Sequence, residues 1–515
     1  MSAAYNTDTV EHDVFSSAHE QAEAMEQQLR SDDAMGSTHS ELEVYVRREG
    51  REYERRLLQA HLELRASRER PVEARGADGV VRGFRRESHR PLGTIFGSVV
   101  VLRLAYQAPG VAGLHPMDAS LNLPDELYSH GVRRLVAEGA ARCSYDEVVE
   151  SVAATTGTTV HKRQIEQLAI RAAQDFEAFY ATRTVEAEDT DHLLVLTFDG
   201  KGIIMRPDDL RPATRRAAAL ATHKLTSRLT KGEKRNRKRM AEVAAIYSVA
   251  PFSRTPMDVL HDLKPTRDVA IPRPRPVNKR VSASVVFDAK TVIKMTFDEA
   301  LRRDPERHRR WIVLVDGNRD QIAMIRKAAK QHDVEPTLVL DLMHVLEYLW
   351  TAAYCFHDEG SKDAQAWVEH RLLALLLGQS AGAMAKSMRR SAKLRGLHTA
   401  DRKGVDDCAR YLVNNRKLLH YDRALRDGLP VGTGVIEGAC RYLVKDRMDR
   451  TGARWSLRGA EAVLRLRALW TNGDFNDYWA FHLECEHRRT HRARYAGERV
   501  PSPVPRSKTC LRRVK

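Results

Sequence analysis

The chain has 515 residues, 42% of them hydrophobic, with 85 Lys and Arg against 69 Asp and Glu for a formal charge of +16. Domains of roughly 100 to 200 residues predict three or four folding units, and no apolar run nears the roughly 18 residues of a membrane span, which excludes a membrane protein. The positive excess predicts a polyanionic partner, because each phosphate neutralised by Lys or Arg releases a condensed counterion. The start, MSAAYNTDTVEHD, lacks the basic and then apolar pattern of a secretory signal, so the expected location is cytoplasmic and nucleoid-associated. Cys143, Cys355, Cys408, Cys440, Cys485 and Cys510 are far apart and form no CxxC pair, which argues for reduced thiols rather than disulfides or a cysteine zinc site.

In chain order, residues 1–38 are polar and read as a disordered or weakly helical leader. Residues 39–120 hold an amphipathic helix from Ser40 to about Arg70 and then a small β-hairpin, GVVRGF and GSVVVLRLAYQ, with its turn at Pro91, Leu92 and Gly93. Residues 121–185 return to helical spacing. There SYDEVVESVAATTGTTVHKRQIEQLAIRAA, broken at Gly157, reads as a helix-turn-helix-like DNA-binding domain. It buries Val148, Val149, Val152, Ile165 and Leu168 and offers His161, Lys162, Arg163 and Gln164 to a groove. A plain helical bundle has the same spacing.

Residues 186–350 alternate short apolar strands with helices, an α/β pattern within a chain that is α+β overall. The strands are LLVLTF before Asp199, AEVAAIYSVA from Ala241, SASVVF before Asp288, WIVLV before Asp316 and TLVL before Asp341. Residues 351–428 read as a helical insertion, residues 429–485 as the last part of the same core, and residues 486–515 as a basic tail. Between Arg206 and Met240, twelve Lys or Arg face three acids. Lys234, Arg235, Arg237, Lys238 and Arg239, with Lys201 beside Asp199, are candidate DNA contacts. No aromatic residue interrupts RLTKGEKRNRKR, which points to the phosphate backbone rather than to bases.

Asp199 in FDGKG and Asp316 in VDGN each follow an apolar strand, where open α/β sheets place ligand-binding groups. Each alone also fits a turn former or a helix N-cap. Glu437 lies in GTGVIEGACR among residues small enough for a bulky substrate to approach. Arg441, four residues on, fits either an ion pair with Glu437 or a phosphate contact. Three acids suit phosphodiester chemistry, because paired Mg2+ ions prefer carboxylate oxygen and steady both the attacking and the leaving oxygen.

Around these residues the chain resembles the DDE transposases of bacterial insertion sequences, the ISKra group in particular. FDGKG, VDGN, DLMHVLEYLW, LPVGTGVIEGACRYLVKDRMDRTGARW and LRALWTNGDFNDYWAFH carry the resemblance, which runs from about residue 85 to 495. It implies a ribonuclease H-like mixed sheet with a helical insertion before the last acid, and Asp199, Asp316 and Glu437 as catalytic metal ligands. The implied activity is cleavage at transposon ends and 3′-hydroxyl strand transfer with Mg2+, for which Mn2+ substitutes. The implied partners are double-stranded DNA, at the ends and the target, and further copies of the chain in a homo-oligomer on DNA. Asp341 and His344 reproduce a spacing that supports the site in such enzymes, although Asp341 also ends a strand and competes with Asp316 for the second ligand position; Asp288 is a weaker rival. Arg454 and Trp455 in TGARW fit a phosphate and a stacked base, and Trp455 equally fits core packing. A structure-specific nuclease on the same fold and an idle DNA-binding descendant are the competing functions.

Overall fold

The computed structural model describes residues 13–183, 191–220, 237–263, 273–432, 434–450 and 452–504. They belong to two compact units, one made of Met1–Ala181 and Asp474–Lys515, the other of Thr182–Gly473.

In the first unit Thr38 and Glu41 form a reciprocal capping box that starts the long His39–Ser67 helix, as a Thr followed three residues later by Glu favours. The expected leader is helical from Ser16 to Leu29 and is tied to the long helix by Gln21, whose amide donates to Glu49 at 2.9 Å. A three-stranded antiparallel sheet follows, β1 (Phe84–Thr94), β2 (Gly97–Ala108) and β3 (Val111–Leu114). Leu58 and Leu62 of the helix pack on Leu92, Val99 and Val101 of the hairpin. The hairpin turns at Ile95 and Phe96, between the paired Thr94 and Gly97, and not at Pro91–Gly93. Pro91 is accommodated inside β1 because this strand lies at the sheet edge, where a missing N–H leaves no neighbour unpaired.

Three helices, His130–Arg142, Tyr145–Thr156 and Lys162–Ala172, enclose Val132, Val136, Val148, Val152, Ile165 and Leu168. Gly157 ends the middle helix at φ +69°, a left-handed cap that suits glycine, and His161, Lys162 and Arg163 are exposed at the start of the next. The chain rejoins this unit at Asp474. On the Phe475–Thr490 helix, His482 Nδ1 lies 2.7 Å from Asp175, and the Tyr478 hydroxyl donates to the Ala172 carbonyl at 2.6 Å. Residues 486–504, expected within a basic tail, are therefore folded here, while 505–515 lie outside the described residues.

The second unit is a mixed α/β assembly on a five-stranded sheet ordered β6-β5-β4-β7-β8. Its strands are β4 (Leu193–Ile204), β5 (Lys238–Val249), β6 (Val277–Ser284), β7 (Trp311–Val315) and β8 (Thr337–Leu340). Strands β4, β5 and β6 pair antiparallel, whereas β7 runs parallel to β4 and β8 parallel to β7. Every residue of Leu193–Phe198 and of Trp311–Val315 is buried, which is why these strands read as unbroken apolar runs. Strand β6 ends three residues before the expected Phe287. The Ser284 hydroxyl accepts the N–H groups of Val286 and Phe287, and the buried Glu461 carboxylate accepts that of Val285 at 2.9 Å. These bonds turn the chain into the Ala289–Arg303 helix, which Asp288 caps through Thr291 N–H. Asp288 is thus a helix cap. After β8 come the helices Leu342–Ala353, Lys362–Leu376, Ala381–Leu394, Lys403–Asn414 and Tyr421–Arg426. Among the described residues no helix is long and apolar enough to cross a membrane.

Burial, and then the charge of Arg133, lowers the pKa of His130 in the first unit from 6.5 to about 4. The unfolded chain protonates near pH 6.5 while the folded one resists, so this contribution is full above 6.5 and is lost as pH falls through about 4. The unfolding free energy of the wild type, measured by urea denaturation, should fall more between pH 6.5 and 4 than that of His130→Gln, by no more than about 3 kcal/mol. Equal slopes would contradict the assignment.

Candidate functional site

The site grows out of strand register. Thr197 of β4 pairs with Leu314 of β7, and Val315 of β7 pairs with Leu340 of β8. Carried one or two residues further along the parallel strands, this register aligns Asp199, Asp316 and Asp341 at one edge of three neighbouring strands. Adjacent strands lie about 4.8 Å apart, and residues in register point to the same face. The edge is not a strand end for Asp199, as expected from sequence. Strand β4 continues to Ile204 by pairing with β5, so Asp199 sits in mid-strand opposite Val243, at the point where its parallel neighbour leaves the sheet.

Each aspartate is held differently. Asp199 Oδ2 accepts a hydrogen bond from the Cys440 thiol at 3.1 Å. Asp316 closes a turn, its Oδ1 accepting from Asn318 N–H at 2.8 Å, and its carbonyl accepts from the Tyr411 hydroxyl at 2.9 Å. The turn needs Gly317: its φ is +92°, and a Cβ there would lie 2.7 Å from Asn415 and 2.9 Å from Tyr411. Asp341 is 4% exposed. Its N–H donates to the Val315 carbonyl at 2.8 Å, its Oδ1 caps the next helix through Met343 N–H at 3.1 Å, and its Oδ2 lies 3.4 Å from His344 Nδ1. The capping role and the pairing with His344 thus coexist.

Glu437 is exposed on the short Gly434–Ala439 helix. One ligand atom from each of Asp341, His344 and Glu437 lies within 4.8 Å of the others. Asp199 and Asp316 stand outside that trio, so the tightest group is not the three acids singled out from sequence. Partial burial, and then the Asp341 charge, raises the Glu437 pKa, with Glu347 and Asp199 adding to the effect. His344 responds in the opposite sense: Asp341 raises it to about 9 against the push of burial, helped by Asp316 and Glu347. Asp341, Asp316, Glu347 and Glu437 thus act on one imidazole. Asp341, His344 and Glu437 could together hold a metal ion, His344 serving as a ligand only when neutral.

Helices brace the site from behind. Tyr411, on Lys403–Asn414, stacks on Tyr348 with ring centroids 4.0 Å apart. Beyond Glu437 the helix widens into a π segment, Cys440–Lys445, a local irregularity often met at functional sites. Arg467 donates to the Leu443 carbonyl at 2.9 Å and also to that of Tyr442. Cys440 was not recognised in the sequence as part of the site, although its place three residues after Glu437 puts both on one helical face. Tyr411 carries no such local signal, since it meets Asp316 across 95 residues.

The cations expected to contact DNA are dispersed. Lys201, Lys238 and Arg454 are exposed and Arg237 is half-buried, while Lys234 and Arg235 lie outside the described residues. Arg239 is tied to backbone, donating to the Val285 and Asp209 carbonyls at 2.8 and 3.3 Å. Arg441 projects outward and lies 4.0 Å from Asp446 instead of pairing with Glu437. Trp455 is 6% exposed, its indole N–H donates to Met448 at 3.0 Å, and Arg447 covers its ring. Its ring therefore packs the core, where no base can stack on it.

No protein-family model matches the chain, and no curated protein matches it.

The thiol contact makes Cys440 a positioning residue for Asp199. Cys440→Ala should weaken Mn2+ binding measured by calorimetry about tenfold, the scale on which groups that orient ligands act, whereas Cys440→Ser, which keeps a donor, should stay within about twofold of wild type. Equal affinity in Cys440→Ala and wild type would show that the contact orients nothing.

Proposed function

We propose that this protein is a DDE transposase, a DNA-cutting and DNA-joining enzyme built on a ribonuclease H-like core. The observation that carries the reading is the alignment of Asp199 and Asp316 on adjacent parallel strands, with Glu437 on a later helix close enough to feel the charge of Asp199. A sheet of three antiparallel strands extended by two parallel ones, followed by helices before the last acid, supports the fold assignment.

Asp199, Asp316 and Glu437 would hold Mg2+, which when bound offsets the charge on the transferring phosphate and activates the attacking oxygen. Everything else falls to the chain's own residues. Cys440 fixes the rotamer of Asp199, and Tyr411 with Gly317 fixes the loop that presents Asp316. Asp341 is the poorer candidate for second ligand, because it is nearly buried and its oxygens already cap a helix and face His344. The pair Asp341 and His344 supports the site, supplying a positive charge beside the acids. Phosphoryl transfer of this kind asks the protein mainly for positioning and charge neutralisation. Exposed Lys201, Lys238, Arg441 and Arg454 serve the DNA backbone, and the helices on either side of Gly157 serve a groove. A homo-oligomer on DNA follows from the need to hold two ends together.

Alanine in place of Asp199, Asp316 or Glu437 should reduce Mg2+-dependent cleavage and joining at least on the order of a hundredfold and leave duplex affinity within about threefold, since phosphate contacts supply most of it. Asp341→Ala and His344→Ala should cost about 10- to 100-fold. An active Asp316→Ala with a dead Asp341→Ala would reassign the second ligand. Cleavage without joining by the wild type would point to a nuclease, and binding without either to a catalytically idle DNA-binding protein.

A further inference from the structure

Beside the acidic cluster, and within the same unit, a cleft of about 460 Å³ opens against Glu437. Its size lies in the range of small-ligand sites, roughly 300 to 1,000 Å³. Phe252, Met343 and Val435 give it apolar walls, and Arg254 and Arg273 bring two guanidinium groups to them. Such a lining suits neither a plain apolar ligand nor a bare anion. It joins two aromatic side chains, Tyr247 and Phe252, to donors for oxygen, beside an edge of carboxylates that repels free anions.

The wall carrying these groups is rigid. Phe252 N–H donates to the Gly428 carbonyl at 2.9 Å, and Arg254 N–H donates to the Leu425 carbonyl at 3.1 Å. Gly428 makes the approach possible: its φ is +71°, and a Cβ there would meet Phe252 N at 2.6 Å. Arg273 forms an ion pair with Asp262. Arg254 differs, for its Nε is shut off from solvent and has no hydrogen-bond partner. That Nε is enclosed by the protein, so a ligand in the cleft would meet the outer guanidinium nitrogens of Arg254 instead.

We propose that this cleft receives one unpaired nucleotide of the DNA strand at the reacting end, its base against Phe252 and its phosphate or base-edge oxygen on Arg254. The proposal rests on the reading of the protein as a DNA-processing enzyme and adds to it where the strand goes. Enzymes that must reach inside a duplex turn a nucleotide out of the stack into a fitted pocket, and aromatic faces accept any base because every base offers a π face. Glu437 lines the cleft and also belongs to the acidic cluster. A nucleotide bound there adjoins the phosphate presented to the acids.

The test uses the full chain in Ca2+ with two 20-base-pair DNA probes of one sequence, one blunt and one ending in three unpaired nucleotides, the first of them 2-aminopurine. The frayed probe should bind the wild type at least fivefold tighter than the blunt one, with the 2-aminopurine emission quenched on binding. Phe252→Ala should abolish the quenching and the preference, and Arg254→Gln should reduce the preference roughly fivefold or more, each leaving blunt-duplex affinity and thermal stability as in wild type. Arg254→Lys, which keeps the charge but not the planar fork of donors, should behave like Arg254→Gln. Equal binding of both probes by the wild type, or equal weakening of both by the variants, overturns the pocket assignment and leaves the DNA reading standing. Failure of the wild type to bind either probe overturns both.

Discussion

The second unit depends on one electrostatic constraint: three aspartates held side by side at the edge of a sheet whose strands cannot move apart. In-register side chains on neighbouring strands start about 5 Å apart at Cβ, and like charges so placed are unfavourable. Nothing in their own chemistry keeps them together. The restoring force is the buried body of β4, β7 and β8, where Leu194, Val195, Leu196, Ile312 and Val313 are wholly buried. A register slip that would separate the acids would also unseat the close-packed side chains on both faces of these strands.

Around that edge the protein arranges supports that act on individual oxygens. Cys440 addresses Asp199, Tyr411 and Gly317 address the Asp316 loop, and Asp341 is committed to its helix and to His344. Each support comes from a different stretch of chain, so the site integrates the sheet, the helical insertion and the widened helix after Glu437. The π segment has a consequence for orientation. By adding room to the turn after Ala439, it places Cys440 toward Asp199 while Glu437, one turn earlier, faces Asp341 and His344.

Much of this was legible in the sequence, for identifiable reasons. WIVLV announces a buried strand because neither face meets water, and an acid directly after WIVLV and TLVL marks the sheet edge. Glu437 stood out through its small neighbours. What escaped depends on pairing between distant segments. Strand β4 runs on through Asp199 only because Lys238–Val243 lies alongside it. Strand β6 stops at Ser284 because Glu461, 177 residues later, takes the backbone groups that follow. The hairpin turn was misplaced because Pro91 and Gly93 look like turn residues, yet an edge strand tolerates both. Trp455 offered two readings that sequence could not separate, and burial against Met448 and Arg447 decides for the core.

Within the cluster His344 is a positive partner, its pKa raised to about 9 by Asp341, with Asp316 and Glu347 adding to the effect. One imidazolium does not balance Asp199, Asp316, Asp341, Glu347 and Glu437, which is the physical case for a bound cation in the proposed site. The most direct measurement is the anomalous signal of manganese in crystals of the full chain grown with Mn2+. The account predicts Mn2+ bound by Asp199 together with Asp316 or Glu437. Manganese held by Asp341, His344 and Glu437 alone, with Asp199 and Asp316 uncoordinated, would contradict it.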